Sequence, residues 1–208
     1  MTSNNLFELV FQDAFLLVAN KPAGLLAVPG RGEDKQDCLA ARLQQTFPDA
    51  LVVHRLDMAT SGLMVFARGI AMQRRLSQMF REREVGKRYV AVVSGGLEQA
   101  AGEISLPLIC DWPNRPRQKI DHALGKPSLT RYRLLGTESD VSRIELEPVT
   151  GRSHQLRVHM AAIGHPILGD ALYGDATSAP RLLLHACSLN FRHPASGEFL
   201  DFASAAPF

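Results

Sequence analysis

Short hydrophobic segments set the main constraint on how this chain can fold. None approaches the roughly 18 residues of a membrane span, and most have the length of a single β-strand. In residues 143–147, Ile144 and Leu146 alternate with charged residues, the pattern of a strand with one buried face. The predicted strands are residues 15–19, 63–67, 89–93, 128–135 and 143–147.

One segment, residues 71–84, has the periodicity of an amphipathic helix. Its apolar residues repeat at positions i, i+4, i+7 and i+8, which lie on one helical face. These residues are Met72, Leu76, Met79 and Phe80. Arg74 and Arg81 fall on the opposite side, so the helix is predicted to present a basic outer stripe.

A second helix is predicted over residues 154–164. Leu156, Met160 and Ile163 share one face, and Gly164 stands where a C′ glycine commonly ends a helix. Because strands outnumber helices along the chain, the sequence predicts an α+β fold with a mixed, mainly antiparallel sheet and flanking helices.

The composition indicates a globular protein with a single domain over residues 1–208. The chain is 46% hydrophobic and 21% charged, and it has no low-complexity tract. Cys38, Cys110 and Cys187 are far apart and form no C-x-x-C pair, so neither a disulfide framework nor a zinc site is predicted. The first residues lack the pattern of a signal peptide, and a cytoplasmic location is expected.

Charge is unevenly distributed along the chain, although the net charge is only +2. Residues 68–88 carry seven basic and two acidic side chains, and residues 111–133 carry six and two. Residues 151–159 add two more positive charges, so the remainder of the chain sums to −9. This segregation is typical of a nucleic-acid-binding face, while the simpler interpretation is a set of solvated surfaces.

Residues 54–62, with the sequence HRLDMATSG, contain the most closely spaced candidate functional side chains of the chain. If residues 54–57 are extended, Arg55 and Asp57 point to the same side. A guanidinium beside a carboxylate favours its ionised form, which suits a nucleophile or a base. The competing interpretation is structural, because an aspartate before Thr-Ser-Gly is often an Asx turn or a helix cap.

Residues 151–159, with the sequence GRSHQLRVH, form the second cluster. On the predicted helix, Arg157 lies about 100° from the apolar stripe and could reach past the core into a cleft. His154 and His159 lack a third nearby ligand, and His154, His159, His165 and His185 are interpreted as structural. The chain has no phosphate-binding glycine loop and no serine-hydrolase elbow, so no cofactor and no metal are predicted.

Four separated motifs resemble the RluA family of RNA pseudouridine synthases. They are HRLDMATSGL, GKRYVAVV, TGRSHQLRVHMAAIGHPILGDALYG and RLLLHACSL, in this order. DWPNRPRQK and GKPSLTRY further resemble the short dual-specificity member, which modifies 23S ribosomal RNA and tRNA. Larger relatives carry an N-terminal S4-like domain, and none is expected here because 14 residues precede the first predicted strand.

The resemblance implies roles for individual residues. Asp57 matches the essential aspartate of the family, and Arg157 matches the arginine that pairs with it. Arg55 matches the arginine two positions before the aspartate, a candidate to fill the stack that a flipped uridine leaves. Tyr89 matches the tyrosine expected to pack on the flipped uracil. The implied fold is a mixed sheet with a basic active-site cleft, and the implied reaction needs no cofactor.

The implied partner is RNA, with no membrane and no obligatory protein partner. Five residues are candidates for contacts with the RNA backbone, because they are basic and lie on the predicted stripe or in a proline-rich segment predicted to be a loop. They are Arg74, Arg81, Arg115, Arg117 and Lys119. An RNA-binding module without catalysis remains an alternative, as does a hydrolase, although glycoside hydrolysis commonly uses two carboxylates.

Overall fold

Short strands and a few helices alternate along the chain. The protein is described by a computed structural model, and the structure covers residues 7–208. The strands and helices of this part are β1 Glu8–Gln12, β2 Leu16–Lys21, α1 Leu39–Gln44, β3 Ala50–Val52, β4 Ser61–Arg68, α2 Ile70–Glu82, β5 Gly86–Ser94, β6 Ala101–Ser105, β7 Leu108–Cys110, β8 Gln118–Ile120, β9 Leu129–Glu138, β10 Val141–Pro148, α3 Gln155–Ala162, β11 Leu184–Arg192 and β12 Phe199–Ala203.

The predicted elements are all present, and the predicted α+β class with a mixed, mainly antiparallel sheet is confirmed. The five predicted strands correspond to β2, β4, β5, β9 and β10, and the two helices to α2 and α3. Seven strands of the described chain were not predicted, namely β1, β3, β6, β7, β8, β11 and β12. Three of them, β3, β7 and β8, have only three residues each, too few to show a period.

The described chain divides into two compact units. The first comprises residues 7–87 and 186–206, and the second comprises residues 88–185 and 207–208. The chain passes from the first unit to the second within β5 and returns within β11. The single-domain organisation expected from the sequence stays a prediction.

In the first unit, α2 packs its apolar face against the sheet strands. β2 pairs with β1 and β4, and β11 pairs with β12, all in antiparallel register. Leu76 and Met79 of α2 are buried in one cluster with Val18, Val65 and Phe191. The predicted helical face is therefore confirmed. The helix ends at Glu82 rather than at residue 84, because the next residue adopts a left-handed conformation.

In the second unit, four antiparallel strands follow the order β5–β10–β9–β6, and β7 pairs separately with β8. The alternation predicted for residues 143–147 is confirmed, since Ile144 and Leu146 are fully buried while their neighbours are half-exposed. The helix α3 differs from its predicted amphipathic form, because every residue from Gln155 to Met160 is buried. None of the helices within residues 7–208 has the length and apolar character that a membrane crossing requires.

Candidate active site and nucleic-acid interface

Asp57 lies in the first unit, on the segment that joins β3 to β4. Its side chain is half-buried, and residues 54–57 belong to no regular strand. The backbone N–H of Thr60 donates to the carbonyl of Asp57 (3.1 Å), and the N–H of Gly24 donates to the carbonyl of Met58 (2.8 Å). These two bonds hold the backbone on the C-terminal side of the carboxylate.

Lys21 binds the same segment through hydrogen bonds from its buried side chain, a role that the sequence did not suggest. Its side chain is 1% exposed, and Nζ donates to the carbonyls of Pro22 (2.8 Å), Leu25 (2.7 Å) and Met58 (3.1 Å). A buried ammonium is tolerated only when its donors are satisfied. Lys21 therefore ties the loop after β2 to the residue that follows Asp57.

The backbone conformation and close surroundings of Gly62 explain why the motif that contains Asp57 has a glycine at this position. Its φ is +120°, a conformation that side chains rarely adopt. A Cβ at this position would lie 2.3 Å from the carbonyl oxygen of Ala186, at the start of the first-unit part of β11. The glycine thus allows β4 and β11 to approach closely just after the Asp57 turn.

His54 begins the motif and is held as a neutral hydrogen-bond acceptor. Its Nε2 accepts the backbone N–H of Val65 (3.0 Å), and its ring stacks on Phe80 with 4.4 Å between the ring centroids. Burial, with a smaller contribution from the charge of Lys87, lowers the pKa of His54 to about 3. The imidazole therefore positions the N-terminal side of the Asp57 segment and carries no charge at neutral pH.

This pKa predicts a specific pH dependence of stability. Below pH 6.5 the unfolded chain protonates His54 while the folded chain does not. The free energy of unfolding therefore decreases as the pH is lowered from 6.5 toward 3. The loss attributable to His54 should reach about 2 kcal/mol at pH 5. Denaturant unfolding at pH 7.5 and pH 5 measures this loss. The free energy of unfolding should fall more between the two pH values in the wild type than in His54→Gln, and the difference is the contribution of His54. Equal pH effects in both proteins would contradict the assignment.

In the second unit, Arg157 forms a buried bidentate ion pair with Asp170. The two bonds measure 2.8 Å from Nε and 2.7 Å from Nη2, and the side chains are 6% and 1% exposed. The reach of Arg157 past the core into a cleft, which the sequence predicts, stays a prediction. The guanidinium is buried, and Asp170 compensates its charge. The predicted pairing of Arg157 with Asp57 stays a prediction.

Asp170 is further bound by the backbone and remains ionised. Its Oδ1 also accepts the N–H groups of Leu172 (2.9 Å) and Tyr173 (3.1 Å). Burial acts to raise the pKa of Asp170, but the hydrogen bonds and charge of Arg157, together with these N–H donors, outweigh it and lower the pKa. Asp170, the aspartate in GDALYG at the end of the third motif, was not singled out from the sequence.

Tyr173 connects this ion pair to the proline-rich segment. The guanidinium of Arg157 lies over its ring, 5.2 Å from the centroid. Its phenol oxygen accepts the N–H of Gln118 (2.7 Å) and is hydrogen-bonded to Nδ1 of His154, also at 2.7 Å. Arg117 lies over the same ring and donates to the carbonyl of Leu172. The tyrosine therefore joins the motif TGRSHQLRVHMAAIGHPILGDALYG to the proline-rich segment within the second unit.

The structural interpretation of three histidines is confirmed. His154 bonds to the Tyr173 hydroxyl, and His165 lies 2.8 Å from the carbonyl oxygen of Ser94. His159 is fully buried between the Thr130 hydroxyl (2.9 Å) and a backbone carbonyl, and burial lowers its pKa. Within residues 7–208, no three His, Cys, Asp or Glu side chains could together hold a metal ion.

Arg55 and Tyr89 occupy different settings. Arg55 is exposed and lies outside any regular element. Tyr89 is half-buried on β5, opposite Leu146 of β10 in the antiparallel register. Their roles toward a flipped uridine stay predictions.

The five basic candidates are all exposed, but their surroundings differ. Arg74 and Arg81 lie on the outer side of α2, as the sequence predicts. Lys119 lies on strand β8, so its assignment to a loop is wrong. Its backbone is part of the antiparallel pairing between β7 and β8, where it lies opposite Ile109. Arg115 lies over the Trp112 ring, and Arg117 is held at Tyr173.

Part of the positive charge in residues 111–133 is balanced by acidic side chains. Arg131 pairs with Glu103 at 2.7 Å, and Arg133 pairs with Glu145 at 3.1 Å. Both carboxylates come from strands next to β9 in the sheet. The free basic surface of this segment is therefore smaller than the sequence count suggests.

Replacing Arg74 and Arg81 together by alanine should weaken RNA binding equally for target and non-target sequences. Each lost phosphate contact should reduce the slope of log K against log salt by about 0.7 to 0.9. Filter binding over a range of salt concentrations measures this slope. An unchanged slope would identify the outer side of α2 as an ordinary solvated surface.

Comparisons with known proteins agree with one another. The sequence profile of RNA pseudouridylate synthases matches residues 15–162. The chain is 52% identical over 204 residues to the dual-specificity RNA pseudouridine synthase RluA of Escherichia coli K12, covering 96% of this chain and 93% of that protein. It is 48% identical to the protein of the same name from Haemophilus influenzae, covering 97% of this chain and 94% of that protein. Among solved structures, human RNA pseudouridylate synthase domain containing 1 superposes with a TM-score of 0.80 at 31% identity, covering 97% of this chain and 84% of that one.

Proposed function

Because this chain belongs to the RNA pseudouridylate synthase family and is an isomerase of the RluA type, we propose that it modifies specific uridines in both 23S rRNA and tRNA, with Asp57 as the catalytic carboxylate. The observation that carries the proposal of two RNA substrates is the 52% identity, over nearly the whole length of both chains, to a synthase named for dual specificity. The resemblance of the segment containing Trp112 to the same short enzyme supports it.

The reaction rearranges one nucleotide without changing its composition. The bond between N1 of uracil and C1′ of the ribose breaks, the base turns within the site, and C5 forms a bond to C1′. C5 then loses its hydrogen, and N1 gains one. The balance requires no oxidant, no energy donor and no water, so a carboxylate and groups that hold the detached base account for it.

Asp57 suits the role of this carboxylate because its backbone is fixed on both sides. His54 anchors the preceding segment through Val65, and Lys21 and Gly24 bind the carbonyl of Met58 immediately after it. A preorganised group needs little rearrangement when it attacks. Three actions remain open for the carboxylate: attack on C6 of uracil, attack on C1′, or removal of the 2′ proton.

Arg55, Tyr89 and Arg157 have proposed supporting roles. A uridine in a structured RNA must first leave its stack, at a cost of a few kcal/mol. Arg55 is exposed on the segment that carries Asp57, and its planar guanidinium can replace the departed base. Tyr89 would pack against the flipped uracil, and Arg157 would support the catalytic carboxylate, as the resemblance implies.

The test uses RNA that carries no modification. The protein is incubated with 23S rRNA and tRNA transcripts, and pseudouridine is mapped by carbodiimide treatment and primer extension. We expect new stops in both RNAs, with no free uracil and no shortened RNA. Stops in only one RNA would refute dual specificity, and release of uracil would identify a glycoside hydrolase instead.

A further inference from the structure

Trp112 is the only tryptophan of the chain, and it lies on the surface of the second unit. It begins the short 3₁₀ turn Trp112–Asn114 between β7 and β8, and 66% of its surface is exposed. Tryptophan is highly buried on average. Single exposed apolar residues are nevertheless common, so exposure by itself indicates no ligand. Three further features distinguish this ring.

The first feature is a guanidinium on the ring. The Cζ atom of Arg115 lies 4.6 Å from the centroid of the Trp112 ring. A cation at this distance is attracted by the electrons of the ring face. The guanidinium therefore lies over one face of the exposed indole, and both planar groups are of kinds on which nucleobases stack.

The second feature is the rigidity of the segment that carries the ring. Backbone N–H groups donate from Asp111 to Arg117, from Asn114 to Asp111 and from Arg117 to Asn114, each at 3.0 Å. The segment is also held from outside, because the hydroxyl of Tyr173 accepts the N–H of Gln118 at 2.7 Å. An aromatic side chain on a fixed segment loses little conformational entropy when a ligand binds.

The third feature is the local charge. Arg115 and Lys119 are exposed, and both lie within seven residues of Trp112 along the chain. Asp111 is occupied by the side-chain amide of Asn114 (2.9 Å), and Asp121 accepts two backbone N–H groups of its own turn. Three basic side chains outnumber these two carboxylates in residues 111–121, so a polyanion meets a net positive charge at this turn.

We propose that Trp112 and Arg115 form a stacking platform for an unpaired base of the substrate RNA. This inference rests on the proposed function, since it assigns a recognition surface to the same RNA substrate. The base stacks on the face of the indole that the guanidinium leaves open, and Lys119 contacts a neighbouring phosphate. Stacking tolerates any base, so the platform holds and orients a loop without reading its sequence.

Intrinsic fluorescence tests the platform directly, because Trp112 is the sole tryptophan. Unmodified tRNA transcript titrated into the wild-type protein should quench this fluorescence through base stacking. Heparin, a polyanion without bases, should bind to the positive charge but leave most of the fluorescence unquenched. Equal quenching by both, or none by the transcript, would overturn the proposal.

Variants separate stacking from charge. Trp112→Ala should weaken tRNA binding by about 5- to 150-fold, the range that corresponds to about 1–3 kcal/mol for one stacked base. Its salt dependence should stay unchanged, whereas Lys119→Ala, which removes the proposed phosphate contact, should flatten it. Trp112→Phe should restore most of the affinity. The matched control is Phe199→Ala on β12, which removes an aromatic side chain that is 58% exposed, and its affinity should stay within about twofold of wild type.

Pseudouridine formation measured in parallel distinguishes the two proposals. If the wild type forms pseudouridine and Trp112→Ala matches it in kcat/KM and in RNA affinity, the platform is refuted and the proposed function stands. If the wild type forms none while the transcript still quenches Trp112, the platform stands and the proposed function fails. Thermal melts establish that each variant is folded, as expected for substitutions at exposed positions.

Discussion

Asp57→Asn should abolish pseudouridine formation while the fold and the affinity for RNA persist. The asparagine side chain has nearly the same size and retains hydrogen bonding, but an amide is neither a useful nucleophile nor a base. The backbone bonds that hold the segment, from Thr60, Gly24 and Lys21, involve main-chain carbonyls and survive the substitution. The measurement is pseudouridine formed in single-turnover reactions with the enzyme in excess.

The control for this experiment is Asp201→Asn, the same chemical change on an exposed carboxylate of β12. It should leave turnover and RNA binding at wild-type levels. Filter binding and thermal melts establish that both variants are folded and bind RNA. An Asp57→Asn protein that binds RNA and retains about a tenth of the wild-type rate, a loss of only about 1.4 kcal/mol in transition-state stabilisation, would refute the catalytic role.

Arg157→Met should lower the free energy of unfolding by about 3–5 kcal/mol, because it leaves the carboxylate of Asp170 buried without its partner. Denaturant unfolding at neutral pH measures the loss. Wild-type stability in this variant would contradict the buried ion pair. Since unfolding alone reduces activity, a low rate in this single variant says little about chemistry.

The double variant Arg157→Met, Asp170→Asn separates the two effects. It removes both charges of the pair, so it should recover part of the lost stability. If Arg157 also supports catalysis by Asp57, the folded double variant should remain nearly inactive. Wild-type turnover in a folded double variant would assign Arg157 a purely structural role.

Local patterns predicted the elements whose periodicity the tertiary structure preserves. The alternation in residues 143–147 became β10, because one face of that strand is buried and the other is not. The spacing of Leu76 and Met79 became the buried face of α2 for the same reason. The helix α3 was placed correctly, but its packing was not, since Arg157 and His159 are buried among polar partners that no periodicity reveals.

The sequence by itself determined the family, the fold class and the motif that contains Asp57, because these depend on residues close together in the chain. Only the tertiary structure decided which groups meet over long separations. Lys21 reaches the carbonyl of Met58, 37 residues away, and Arg157 meets Asp170, 13 residues away. Both are buried charges, and a buried charge is stable only beside a partner that folding brings to it. A lysine or an aspartate in a linear sequence carries no sign of that partner, so its role becomes visible only in the folded chain.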